Sequence, residues 1–401
     1  MKKVALLCLG LAFGAVNAAE AQLTMQMSNG WAFTFSGNVN AFYIYQQAKA
    51  GSVTTGKDLS VGTGLLPAFA VFDAKGKEEN VDLGVHFGFA PEVQMGGHNA
   101  SFFGSDAAGA QIDMRQVYLT AGGSWGQLLM GKELGLFQRG NILTDMTLLG
   151  VGVAGGPIGR GTTLGRIGYG YLYTDFRPQL TYSTPAGRPA SLSIGLFDGL
   201  RDGPYTVLQL PRVEAELNYS AKMGETGNFK LFVNGAAQTA KNGVGSGTSS
   251  LSSTGAGGGV TIDVSGFALT GSGFFAKGMG FLLQGDGIVG GGNFDNGGVD
   301  VAGDGRNSFG FIGQATYSPP NSKFLIGGSW GENHLKRTDA DKTADGTTAE
   351  ILKNRAFVGQ VAYKWSKSLR WVFEYGHVDN FTDGVKGAKT DQGSVGMMLF
   401  F

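Results

Sequence analysis

From residue 31 to the C-terminus, apolar and polar side chains alternate with a period of two. In the first segment Trp31, Phe33, Phe35, Val39, Ala41, Tyr43 and Tyr45 share one face, and Thr34, Ser36, Asn38 and Asn40 share the other. Further along, Val81, Leu83, Val85, Phe87 and Phe89 oppose Asp82 and His86, and Val213, Leu217 and Tyr219 oppose Glu214 and Glu216. Phe357, Val361 and Tyr363 oppose Gln360, and Trp371, Phe373 and Tyr375 oppose Arg370 and Glu374. This period marks strands with unlike faces. Sixteen strands are expected, at 31–46, 65–75, 80–92, 111–121, 125–132, 176–184, 190–197, 210–220, 227–238, 257–264, 267–277, 308–318, 323–333, 354–364, 369–379 and 392–401. A soluble sandwich alternates too. Two features separate the cases: segments of about 9–11 residues match a tilted membrane crossing, and aromatic residues at strand ends suit an interfacial girdle.

The connections alternate as well. Those after even-numbered segments are tight, as at 76–79, 122–124 and 265–266, whereas those after odd-numbered segments are long and rich in Gly, Ser, Asp and Asn. Short inner turns and long outer loops predict an all-β fold, a transmembrane antiparallel up-and-down barrel with both ends on the inner side. In hydrocarbon every backbone polar group must be paired, and a closed barrel does this without leaving an edge. A hidden hairpin in 132–175 or 278–307 would raise the count to eighteen. With sixteen strands the interior is too wide for side chains to fill, so it holds water.

Composition agrees. Seventy glycines in 401 residues are about 17 per cent, against a usual value near 7 per cent, a load that helices could not carry. Residues 1–21 read as a removable signal peptide: Lys2 and Lys3, an apolar stretch at 4–15, then small-residue cleavage candidates ending at Ala18 and Ala21. The only cysteine, Cys8, lies inside it. Residues 22–401 form the barrel domain. Removing Lys2, Lys3 and Glu20 leaves 29 basic and 30 acidic residues, a balance that gives no reason to expect nucleic acid. Neither a cofactor nor a metal is expected. His86, His98, His334 and His377 share no ligand spacing, and Asp300, Asp304 and Asn296 fit no calcium loop.

In the last segment Val395, Met397, Leu399 and Phe401 fall on one face, and an aromatic residue carries the C-terminal carboxylate. Arg115-Gln116-Val117-Tyr118-Leu119 is followed by Trp125-Gly126-Gln127-Leu128-Leu129-Met130-Gly131-Lys132. On these segments the chain resembles the trimeric general porins of Gram-negative bacteria over most of its length. The resemblance implies an outer-membrane homotrimer surrounded by lipid, handed to the barrel-assembly machinery through its C-terminal strand, and passing small hydrophilic solutes and ions without catalysis. It also implies that the third outer loop, 133–175, folds into the lumen and narrows it. Leu143-Thr144-Asp145-Met146 resembles the stretch carrying an acid at the constriction, although Asp145 can also be read as the cap of a loop turn. Arg115 takes the position of a wall arginine, with Val117 and Leu119 on the same inner wall. Arg166, Arg177, Lys132 and Glu133 complete the constriction candidates; Lys132, Arg139 and Arg160 are alternatively organisers of the loop. Asp82, His86, Glu214, Glu216, Lys230, Gln360, Arg370 and Glu374 are expected to face the lumen. Val395, Met397, Leu399 and Phe401 are expected to close the barrel.

The chain departs from the family pattern in two places. Leu65-Leu66-Pro67-Ala68-Phe69 offers no arginine on the second strand, and Leu148-Leu149-Gly150-Val151-Gly152 replaces an acid-bearing stretch of the loop. The rival reading is a channel selective for a sugar, an organic acid or another small anion. An aromatic path for it would draw on Phe102, Phe103, Phe137, Tyr169, Tyr171 and Tyr173. A barrel phospholipase lacks its serine motif, and a plugged receptor lacks room before the first strand.

Overall fold

The computed structural model describes residues 23–93, 112–154, 162–201, 205–243, 249–279 and 297–401. The expected signal peptide with Cys8 lies outside these residues, as do His98, Phe102, Phe103, Arg160 and Asn296. The first strands are β1 (Leu23–Gln26), β2 (Ala32–Ala50), β3 (Val53–Gly62), β4 (Phe69–Glu78), β5 (Val81–Pro91), β6 (Ile112–Gly123) and β7 (Gly126–Leu134). After a long connection come β8 (Phe176–Ser183), β9 (Ala190–Phe197), β10 (Tyr205–Leu208), β11 (Arg212–Met223), β12 (Gly227–Asn242), β13 (Ser250–Val264) and β14 (Phe267–Lys277). The chain ends with β15 (Asn307–Tyr317), β16 (Phe324–Leu335), β17 (Leu352–Lys364), β18 (Leu369–Thr382) and β19 (Val385–Phe400).

β19 runs antiparallel along β2, from Phe400 opposite Asn38 to Lys389 opposite Lys49, and this pairing closes the sheet. β3 and β4 together form one stave, pairing with the outer and inner halves of β2. β10 and β11 likewise share a stave beside β12, and β1 adds a short ladder at the root of β2. The result is a closed barrel of sixteen staves. The eighteen-strand alternative is set aside.

The two faces follow the sequence pattern. In β2 Asn38, Asn40, Phe42, Ile44 and Gln46 are buried, while Val39, Tyr43 and Tyr45 are exposed. The buried set faces the lumen and the exposed set faces outward. Apolar side chains also face outward at Leu180, Leu192, Ile194, Leu269, Trp330 and Phe373. A soluble fold would bury these residues; here hydrocarbon is the solvent. The inner turns are tight: Ser265 and Gly266 both take positive φ, 52° and 85°, the backbone a two-residue hairpin needs.

Closure depends on the end of the chain. Gly37 N–H donates to the Phe401 carbonyl at 2.8 Å, Phe401 N–H returns to Gly37 at 3.1 Å, and the Phe401 ring packs 5.3 Å from that of Phe35. A β-carbon at position 37 would collide with the Phe69 carbonyl. Val395, Met397 and Leu399 pair with Tyr43, Ala41 and Val39 across the seam.

Toward the outer side lie the largest differences from the sequence expectation. β3 was absent from it, β13 starts at Ser250 rather than 257, and β19 starts at Val385 rather than 392. These extensions are rich in Gly, Ser, Thr and Lys. Where neither face is apolar, the ladder persists but alternation disappears. Strand two also starts later than position 65, because 63–68 leaves the ladder and turns into the lumen. Pro67 has no N–H to donate. Asn38 and Asn40 hold this segment by donating to the carbonyls of Pro67 (3.1 Å) and Leu66 (3.0 Å).

Ile194→Arg, on the outward face, should cost about 2–4 kcal/mol and lower the folded fraction in lipid vesicles. Ser220→Arg, on the lumen face, should leave that fraction near wild type. Both are read from heat-modifiable gel migration. Removing Phe401 should reduce the yield of closed barrel in the same assay.

Candidate functional site

A loop inside a barrel has no ladder to join, yet its backbone polar groups still need partners. The connection between β7 and β8 enters the lumen as α1 (Arg139–Leu143), a 3-10 turn (Met146–Leu149) and extended segments. The wall supplies what the loop lacks. Glu214 on β11 accepts the Leu136 and Phe137 N–H groups at 2.7 and 2.8 Å. Across the barrel, Glu374 on β18 accepts those of Val151 and Gly152 at 2.7 and 2.9 Å. Each carboxylate thus clasps two successive amides. Glu214 also receives Arg212 Nε at 2.6 Å, and Glu374 receives Gln360 Nε2 at 2.6 Å.

Wall amides hold the rest. Asn234 accepts Gln138 N–H at 3.1 Å, and Gln314 accepts Met146 N–H at 3.0 Å while donating to the Thr144 carbonyl. Asn333 accepts Gly170 N–H at 2.8 Å and donates to the Tyr171 carbonyl at 3.2 Å. Gln392 accepts Ala154 N–H at 3.1 Å and donates to the Gly152 carbonyl. The tip is apolar. Leu149 and Val151 pack with Phe42, Leu66, Phe69, Val372, Met398 and Phe400. Leu65 and Leu66 donate N–H to the carbonyls of Gly150 and Leu148 at 2.8 and 3.2 Å. The inward turn at 63–68 is therefore the receptor for the loop tip.

Several constriction candidates occupy other positions. Asp145 is buried and caps the 3-10 turn: Oδ1 accepts from Thr147 N–H and Oγ1 at 2.8 Å each, and Oδ2 accepts the Tyr171 hydroxyl at 2.6 Å. Burial raises its pKa, against the hydrogen bonds that lower it. The capping alternative describes it, because both oxygens are used within the loop. Arg166 is 0% exposed; it donates to Ser329 Oγ and the Ala356 carbonyl at 2.6 Å each, joining loop to wall. Burial lowers its guanidinium pKa to about 10. Neither residue presents charge to the open lumen.

Arg177 is buried near the outer end, 3.8 Å from Asp175, and donates to the Gly199 carbonyl at 3.3 Å. Arg115 is the unpaired residue of a bulge that sets Gly88 opposite Gln116 and Phe89 opposite Met114. Its guanidinium lies 5.4 Å from the Phe176 ring centroid and bonds Asp113 at 2.9 Å. Val117 and Leu119 do not share an inner wall with it: Leu119 is 52% exposed on the outer face, and Gln116 and Tyr118 are buried inward. Lys132 is on the outward parity, paired with Val117, and donates to the Met114 carbonyl at 2.9 Å. Glu133 faces inward but is buried, taking Gln116 Nε2 at 2.9 Å and Leu134 N–H at 2.7 Å.

The eight residues expected on the lumen face all fall on the inward parity. Glu214, Glu216, Gln360 and Glu374 are buried against the loop, Glu216 through an ion pair with Arg139. His86 meets Asp73 at 2.9 Å and stacks on Tyr118, and Asp82 lies 3.4 Å from Lys77. Lys230 is exposed and Arg370 half-buried toward the inner end. Sequence reasoning did not single out Asn234, Gln314, Asn333, Gln392 or Arg212. Their one visible signal was an amide or arginine on the inward parity.

The aromatic path is not assembled by the described residues. Phe137, Tyr169 and Tyr171 are buried in the loop packing, and only Tyr173 is half-buried. Asp300 bonds the N–H groups of Ala302 and Asp304 at 2.9 and 2.7 Å and the Thr338 hydroxyl at 2.6 Å, which makes it a loop brace. No metal-holding group of three or more His, Cys, Asp or Glu occurs among the described residues.

A closed sixteen-stave barrel with its third outer loop folded inward can now be set beside known proteins. The family model for Gram-negative porins matches residues 5–383. The chain belongs to the Gram-negative porin family. It is therefore an outer-membrane channel through which solutes pass by diffusion. None of the curated proteins matches the sequence. The outer membrane channel DcaP of Acinetobacter baumannii superposes with a TM-score of 0.65 at 15% identity, covering 94% of this chain and 99% of that one. OmpT of Vibrio cholerae gives 0.58 at 14% identity over 94% and 99%. OmpF of Salmonella typhi, solved with daunomycin, gives 0.55 at 12% identity over 94% and 100%.

Glu374→Ala leaves two tip amides without an acceptor, a loss of about 1–3 kcal/mol per buried group. Open-channel noise in planar bilayers should rise. Asp145→Asn should leave the zero-current potential in a salt gradient unchanged, because the replaced charge does not face the pore.

Proposed function

We propose that this porin is a non-enzymatic, homotrimeric pore for small hydrophilic solutes and ions that favours anions over cations. One observation carries the preference. Among the described residues, the lumen carboxylates of the loop level, Glu133, Glu214, Glu216 and Glu374, are buried in contacts with the loop and its neighbours. Lys75, Lys222, Lys230 and Lys364, on the inward parity of the inner half, are exposed. Against them stand Asp73, Asp82 and Asp263, the first two already paired with His86 and Lys77. An ion crossing a narrow lumen feels the charges open to it more than those compensated within the wall.

The trimer reading is supported by a Vibrio cholerae OmpT structure described as a trimer form. Lipid surrounds the outward apolar band, and the seam strand β19, with Phe401 directly after it, is the expected handle for the barrel-assembly machinery. No cofactor enters the mechanism. Selection works through width and fixed charge.

The test is the zero-current potential of the purified protein in a potassium chloride gradient. Its sign should report chloride preference, and replacing Lys75, Lys222 and Lys230 together by Glu should move it to the cation side. A wild-type potential of cation sign would defeat the reading.

A further inference from the structure

Among the described residues, one guanidinium of the inner vestibule has no anion beside it. Arg370 projects inward from β18, its guanidinium carbon 5.2 Å from the centroid of the Phe400 ring. Among the described residues no carboxylate or carbonyl contact to it is found. Lys364, its register partner on β17, is exposed on the same face. Two residues further out, Val372 enters the apolar cluster that receives the loop tip. Ala362 and Leu149 lie at the partly exposed edge of that cluster. A cationic pair and an apolar strip thus adjoin on one side of a water-filled lumen.

Each half alone has a plain explanation: the lysine and arginine set ion preference, and the apolar strip seats the loop. Their adjacency has a further consequence. Apolar surface left facing lumen water is unfavourable unless something covers it, and a solute passing along this wall meets a charge at one end of that surface. We propose that Arg370, Lys364 and the Ala362–Leu149 edge form a transit site for small organic monoanions with a flat apolar body, such as aromatic carboxylates. The carboxylate meets the guanidinium fork, which matches two oxygens at once. The ring lies against Ala362 and Leu149, beyond the reach of an inorganic anion. Binding must stay weak, since a conducting site has to release what it holds. This inference rests on the anion preference proposed above and names the class of anion.

The experiment is single-channel recording of the purified wild-type protein in potassium chloride, titrated separately with benzoate and acetate. Benzoate should reduce the chloride current saturably, at a half-blocking concentration about fivefold or more below that of acetate, the difference reflecting burial of part of the ring. Arg370→Gln should remove the benzoate block, Arg370→Lys should retain part of it, and Leu149→Ser should bring the two half-blocking concentrations together. Equal half-blocking concentrations in the wild type overturn the proposal without recourse to any variant. Chloride preference is read in the same records before either acid is added. A cation-sided potential there defeats the general reading, whereas an anion-sided potential with equal block defeats this inference alone.

Discussion

The interior of this barrel is governed by one requirement: a loop drawn into the lumen brings its backbone amides and carbonyls away from any ladder, and the wall must pair them. The wall residues match that need in kind. Where the loop presents two successive N–H groups, as at Leu136-Phe137 and Val151-Gly152, a glutamate answers, because a carboxylate accepts several bonds at once. Where an N–H and a nearby carbonyl must both be met, as at Met146 and Thr144 or at Gly170 and Tyr171, Gln314 and Asn333 answer with donor and acceptor together. Arg166, a donor only, meets the hydroxyl and carbonyl oxygens of the wall. The loop is held on β11, β12, β15, β16, β17, β18 and β19, and so round much of the circumference.

That requirement changes how the charge of the chain should be read. The sequence is neutral as a whole, but neutrality of the chain is not neutrality of the path. An acid whose oxygens are filled by loop amides is compensated locally and buried, while a lysine on the same wall with no partner projects its field into the water. The acid-poor loop compounds the effect. Its tip, Leu148-Leu149-Gly150-Val151, is seated by apolar packing and by backbone bonds to Leu65 and Leu66, so it contributes shape to the constriction and little field.

What the sequence revealed about the molecule follows the same division. Every stave within the apolar band was legible, because outward Val, Leu, Phe and Trp alternate with inward polar residues as hydrocarbon and water demand. The outer extensions of β13 and β19 were not, since Gly, Ser, Thr and Lys leave little contrast between their faces, and β3 was not, since its apolar alternation is confined to Leu59 and Val61. Position 115 shows the limit of parity: the bulge between Gly88 and Phe89 breaks the alternation, and Val117 and Leu119 end up on the opposite wall from the one expected. Asp145 shows a second limit. Its spacing from Thr147 permits a cap, but whether it caps or faces the pore depends on Tyr171, distant in sequence, arriving to bond its other oxygen. The wall amides were least visible, since an inward Asn or Gln looks alike whether it meets water or a loop.

The inward turn at 63–68 and the apolar tip are best understood together. Leu65-Leu66-Pro67 stands where an arginine would otherwise sit on the second strand, and Leu148-Leu149-Gly150-Val151 stands where the loop would otherwise carry an acid. Had either exchange occurred alone, a lone charge would face an apolar partner, at the cost of burying it unpaired. With both, the facing charges are absent and a backbone-paired apolar contact takes their place. The tip is then fixed by packing and by Glu374, while the Arg139–Glu216 ion pair holds the start of the loop. On the anion preference proposed above, the charge that would select solutes lies on the inner wall, with Lys230, Lys364 and Arg370, rather than on the loop.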